Sequence, residues 1–128
     1  MAIDTLKPSA APSDAALPRA RRLRSPAQFK HVYAQGRRVG NDFFSANSNA
    51  NGLSSARLGM SVAARLLRRA VDRNRVRRLI RESFRVRRAQ LPGLDIVIGV
   101  RAAVKAADNA QLRAALEQLW QKIVSTCD

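Results

Sequence analysis

The order of segments along this chain predicts one domain in which helices pack against a sheet, organised around a βαβ crossover. Three observations carry that expectation. Residues 57–62 alternate, with Leu58, Met60 and Val62 on one side and Arg57, Gly59 and Ser61 on the other, the period of a strand with two unlike faces. Residues 72–85 instead keep helical spacing. Residues 95–100 (Asp95-Ile96-Val97-Ile98-Gly99-Val100) are apolar on both sides, the mark of a central strand. A strand, a long helix and a buried strand in succession form a crossover whose two strands run parallel. At 128 residues the chain can bury a single core.

The remaining elements follow in order. Residues 1–18 are rich in Ala, Ser and Pro and have no continuous apolar stretch, so a disordered tail is expected there rather than a secretory signal, with one domain over 19–128. Ser25-Pro26-Ala27-Gln28 has the grammar of a helix start: a capping hydroxyl, a proline at the first helical position, and a glutamine able to close a capping box. Phe29, Val32 and Tyr33 then share a face, and Gly36 stops the helix. A short strand is expected over 43–47, followed by the polar turn Asn49-Ala50-Asn51-Gly52. The linker 63–71 is basic, and Asp72 is placed to cap the next helix, where its charge suits the helix dipole. Leu91-Pro92-Gly93 breaks that helix. Asp108 with Gln111 forms a second capping box, opening a helix whose stripe of Leu112, Leu116, Leu119 and Ile123, with Trp120 beside it, should pack on the sheet.

Charge points to the partner. The chain holds 24 Lys+Arg against 9 Asp+Glu, a net charge of +15 and a pI near 11.8. Between Arg57 and Arg88 stand 12 arginines and no lysine against Asp72 and Glu82, so +10 of that charge lies in this segment. Stepping about 100° per residue places Val76, Leu79, Ile80, Ser83 and Phe84 in one arc, which faces a core. Asn74, Arg77, Arg78, Arg81, Arg85 and Arg88 fall in a neighbouring arc of about 100°. Basic runs are often only solvated surface. Five guanidinium groups on one helical face, however, repel one another unless something anionic lies against them, and arginine grips phosphate bidentately. A nucleic-acid backbone is the partner this pattern fits.

Catalytic constellations are missing from the sequence. His31 has no partner nucleophile or carboxylate at a suggestive spacing, and a surface or packing role is expected for it. There is no metal-ligand cluster, Gly-rich phosphate loop or close carboxylate pair. Cys127 is the sole cysteine, which precludes an internal disulfide and marks either a reducing compartment or a residue of no consequence, with the cytoplasm as the default setting. No apolar run has the roughly 18–20 residues of a membrane span. Phe84 and Trp120 are expected in the core. Phe29 and Tyr33 could equally be core residues or line a groove where rings stack on unpaired bases.

These residues resemble a known family. Gly59-Met60-Ser61-Val62, followed by the run from Arg68 through Arg73-Asn74-Arg75 to Arg85, is similar to the protein subunit of bacterial ribonuclease P. Arg22-Leu23-Arg24-Ser25-Pro26-Ala27-Gln28-Phe29, Leu91-Pro92-Gly93-Leu94-Asp95-Ile96-Val97 and Leu116-Glu117-Gln118-Leu119-Trp120 extend the likeness over roughly 19–124. The resemblance implies an α+β two-layer sandwich on a mixed sheet of about four strands, like the second domain of ribosomal protein S5, with a left-handed βαβ crossover against the general rule. It further implies a subunit that joins a catalytic RNA to remove the 5′ leader from precursor tRNA. Mg²⁺ held mainly by that RNA would activate the attacking water. No obligate protein partner is evident from the sequence.

Matched position by position, the resemblance assigns catalytic-RNA binding to Arg73, Asn74, Arg75, Arg77, Arg78, Arg81 and Arg85, and to the loop residues Arg65, Arg68 and Arg69. It assigns leader binding to Phe29, Tyr33 and Phe44, with Arg57 and Ser61 on the sheet face. Two departures stand out. Asn47 occupies a position where some members have a tyrosine, and Ala64-Arg65 replaces a lysine pair. The competing readings are a ribosomal-type RNA-binding module, which needs no leader groove, and a DNA-binding architectural protein, for which no helix-turn-helix or dimer seam is present.

Overall fold

A computed structural model describes residues 22, 23 and 25–126; the N-terminal tail expected over 1–18 and Cys127 lie outside them. The chain runs α1 (Pro26–Gln35), β1 (Arg37–Gly40), β2 (Phe44–Ala50), β3 (Arg57–Ser61), α2 (Ala70–Arg87), β4 (Leu94–Val100) and α3 (Asn109–Thr126), with 3₁₀ turns at Arg88–Gln90 and Ala102–Ala106. The four strands form one mixed sheet in the order β1-β2-β4-β3. β1–β2 and β2–β4 are antiparallel, while β3 and β4, joined through α2, are parallel as their spacing predicts.

Residues opposite one another across a ladder share a sheet face. One face carries Phe44, Ala46, Leu58, Ile96, Ile98 and Val100, and it packs with Val76, Leu79, Ile80 and Phe84 of α2 and the whole expected stripe of α3 in the main core. Phe84 and Trp120 are fully buried, with ring centroids 5.9 Å apart, and Trp120 Nε1 donates to Ser83 Oγ at 2.7 Å. That bond satisfies the one polar atom the indole brings into the α2–α3 seam. The opposite face carries a smaller cluster in which Val32 and Phe29 of α1 pack with Leu23 and Val97. Helices thus cover both faces of the sheet, α1 only in part.

Both capping boxes form. The Gln28 amide donates to Ser25 Oγ while the Ser25 amide donates to Gln28 Oε1, each at 3.1 Å, and Asp108 and Gln111 make the same exchange. The start of α2 differs from expectation. Its N-cap is Arg69, whose carbonyl accepts from the Asp72 and Arg73 amides, so Asp72 lies inside the first turn rather than before it. No side chain caps this end. Instead Arg73 Nη1 reaches back to the Leu67 and Arg68 carbonyls at 2.8 and 2.9 Å, stitching the basic loop to the helix. Asp72 still serves the dipole, and stands 3.9 Å from Arg69.

Two strands also differ from expectation. β2 runs to Ala50, because Asn49 and Ala50 pair with Asp95 and Leu94 despite their turn-like chemistry. β1 (Arg37-Arg38-Val39-Gly40) gave no sequence signal, since one apolar residue in four shows no alternation. Tertiary contacts hold it: Asn41 Nδ2 donates to the Ala115 carbonyl at 2.9 Å and Lys122 Nζ to the Gly40 carbonyl at 2.7 Å.

Candidate nucleic-acid interface

α2 buries one face, and arginines dominate the rest of its circumference, which Asp72, Asn74, Glu82 and the exposed Val71 and Val86 share. Leu67 is buried, which anchors the loop before the helix and leaves Arg65, Arg68 and Arg69 exposed. Asn74, Arg78 and Arg85 are exposed along the crest. On one flank Arg81 sits among Arg22, Arg77 and Arg78. Burial, followed by repulsion from Arg77, Arg22 and Arg78, pulls its guanidinium below the ordinary arginine value. Arg81 Nε is buried with no hydrogen-bond partner. Among the described residues the ion pairs are Arg57–Asp95, Arg69–Asp72 and Arg87–Glu117, so Arg77, Arg78, Arg81 and Arg85 have no counterion. Such a cluster is complementary to an anion that bears several acceptor oxygens.

Two of the expected RNA ligands are partly engaged within the protein. Arg73 ties the loop down, as above, and Arg75 Nη1 donates to Asn109 Oδ1 at 2.6 Å. Arg22 joins the cluster from outside the helix. Sequence spacing could not reveal this, because Arg22 reaches its place through a parallel bridge to Leu58 at the open edge of β3.

The second surface is the sheet face beside α1. Arg57, Gly59 and Ser61 lie on it, in register with Asp95, Val97 and Gly99 and, one strand further, with Asn49, Asn47 and Ser45. Small side chains at Ser61, Gly99 and Ser45 make the uncovered row shallow. Phe29 lies over Gly59: a Cβ there would come within 2.7 Å of the Phe29 ring. Phe29 is therefore a packing residue with an exposed edge, whereas Tyr33, one turn on, is 49% exposed. Asn47 is on this same face, where the family resemblance puts a tyrosine in some members.

Phe44 does not belong here. It is fully buried in the main core, on the opposite face of the sheet, because strand residues of even number on β2 point toward α2 and α3. Arg57 is also more constrained than expected. Its Nε and Nη2 donate to the two Asp95 carboxylate oxygens at 2.7 Å each, and Asn51 Nδ2 adds a third bond to that carboxylate at 3.0 Å. The Asp95 hydrogen bond raises Arg57 above its ordinary value against the opposing effect of burial. Its first task is to fasten β3 to β4.

Comparison with known proteins decides the family. The model of the family described as Ribonuclease P matches residues 17–124. The chain belongs to the ribonuclease P protein family. It is 47% identical over 109 residues to the ribonuclease P protein component of Halorhodospira halophila, covering 84% of this chain and 89% of that one. Against the component from Thioalkalivibrio sulfidiphilus it is 40% identical over 114 residues, 89% and 95% of the two chains. The fold matches the ribonuclease P proteins of Staphylococcus aureus (TM-score 0.76, 33% identity, 83% of this chain and 96% of that one) and Thermotoga maritima (TM-score 0.71, 29% identity, 80% and 96%). Ribonuclease P matures the 5′ ends of tRNA, so this chain is the protein component of an endoribonuclease complex with an RNA partner. Among the described residues no helix is long and apolar enough to cross a membrane.

Proposed function

We propose that this ribonuclease P protein grips the catalytic RNA with α2 and the loop before it, and lays the 5′ leader of precursor tRNA on the sheet face beside α1. The observation that carries the first part is Arg81: a guanidinium crowded by three others, with a buried unpartnered Nε and no counterion. A phosphate against the accessible side of that cluster would relieve the repulsion. The second part rests on Tyr33, an exposed ring at the edge of a shallow strip of Ser and Gly. An unpaired strand can stack there without displacing core.

In this reading the RNA supplies the chemistry and the protein supplies binding, within the cytoplasm. Mg²⁺ belongs with the RNA. The described residues include no group of three or more His, Cys, Asp or Glu that could hold a metal, and guanidinium groups repel a divalent cation. What arginines at the RNA surface do contribute is charge neutralisation, which lets two polyanions approach at modest cation concentration. Cleavage of precursor tRNA by the RNA partner, measured across Mg²⁺ concentrations with and without the protein, tests this. The protein should shift the half-maximal Mg²⁺ concentration downward, and most for substrates with a leader of several nucleotides. An unchanged Mg²⁺ dependence would defeat the proposal.

A further inference from the structure

We infer that the cleft between α2 and the first turns of α3 is a second seat for RNA backbone, with Arg113 of α3 as a phosphate ligand. The inference rests on the RNA-binding reading of α2 and extends it to a helix that reading does not use. The cleft measures about 590 Å³ and is lined by Asn74, Arg75, Arg78, Glu82, Asn109 and Arg113 among others. Three guanidinium groups and two amides face a single carboxylate. Arg75 is held across the cleft by the Asn109 amide oxygen at 2.6 Å, which orients the guanidinium without neutralising it. Arg78 and Arg113 have no ion pair among the described residues. Arg75 also lines a neighbouring cleft of about 270 Å³ with Arg68, Arg69 and Lys105 against the single carboxylate of Asp72, so a predominantly basic track continues from the loop, past Arg75, to α3.

Geometry makes this seat distinct from the one at Arg81. At about 100° per residue, Arg75 and Arg77 project from α2 roughly 160° apart. One phosphate cannot reach both. α2 is therefore a ridge with a basic flank on each side, Arg22, Arg77 and Arg81 on one and Arg75 and Arg113 on the other. Two backbone segments running along opposite sides of a ridge are what an RNA groove or a strand junction presents. A compact acidic ligand would occupy a single flank.

The test uses the full chain and its RNA partner. Arg113 is exposed and makes no described polar contact, so R113Q should melt with the wild type. Its plot of log affinity against log salt should be shallower by about 0.7–0.9, the loss of one phosphate contact, with several-fold weaker binding at fixed salt. R113K keeps a cation and should recover most of the slope. R77Q, on the opposite flank, should lose a similar increment, and the double variant should lose both. Wild-type slope and affinity in R113Q, beside a loss in R77Q, would overturn the second seat and leave the first standing. No loss in either variant would overturn the RNA reading of α2, and this inference with it.

Discussion

Arg81→Met should weaken RNA binding while leaving the free protein at least as stable as before, a combination that a structural arginine would not show. Methionine keeps the aliphatic stem in place and removes the charge together with the unpartnered Nε. Arg77 and Arg78 lie four and three residues before Arg81, and each like-charged pair at such spacing costs about 0.2–0.5 kcal/mol. Relief of both is worth at most about 1 kcal/mol, and less in salt, because Arg81 is only partly buried. In a chain of this size that is a rise of a few degrees in melting temperature at low ionic strength, shrinking as salt is added. On the RNA side, a charge-assisted hydrogen bond contributes about 1.5–3 kcal/mol, so affinity should fall by about one to two orders of magnitude. The salt slope should fall by about 0.7–0.9. Thermal melts of the free protein at two salt concentrations, with filter binding to the RNA partner, measure both sides. A variant that melts several degrees lower yet keeps the wild-type affinity and slope would refute the reasoning, because Arg81 would then serve the fold rather than the RNA.

Other substitutions probe the remaining surfaces. Tyr33→Ala removes a 49% exposed ring and should cost about 1–3 kcal/mol in holoenzyme binding of leader-bearing precursor tRNA, with little change for mature tRNA or for the melt; equal losses for the two substrates would rule out a leader contact. Phe44→Ala and Phe84→Ala should each destabilise the protein by about 3–5 kcal/mol in denaturant titrations, since both side chains are fully buried, and a near-normal Phe44→Ala would return that ring to the leader surface beside α1. Asp95→Asn breaks the bidentate pair with Arg57, whose side chains are 10% and 23% exposed. About 2–3 kcal/mol of stability should be lost, below the ~3–5 typical of fully buried pairs, and an unchanged urea midpoint would show that the Asp95 carboxylate, with its bonds from Arg57 and Asn51, contributes nothing to the sheet.

Local pattern determined a good deal of this protein. Period placed α1, α2, α3 and β4, and capping chemistry placed the starts of α1 and α3, because each is a local property: Ser25 and Gln28, or Asp108 and Gln111, need only each other to begin a helix. The buried face of α2 and the parallel pairing of β3 with β4 were legible for the same reason, as was the crowd of arginines that implies a polyanion. Tertiary structure alone decided the rest. β1 exists because the Asn41 side chain and Lys122 tether its turn to α3, contacts between residues far apart in sequence. Phe44 and Tyr33 are both aromatic residues assigned to the leader by resemblance, yet the alternation of β2 sends Phe44 into the main core, while the way α1 packs on the other face leaves Tyr33 half exposed. Arg57 and Arg77 carry the same charge, but a carboxylate across the ladder takes up one, while the other is left facing Arg81 without a counterion. Arg113 gained its place only when α3 docked against α2. Sequence counts charges; the fold determines which are neutralised at home and which remain for a partner.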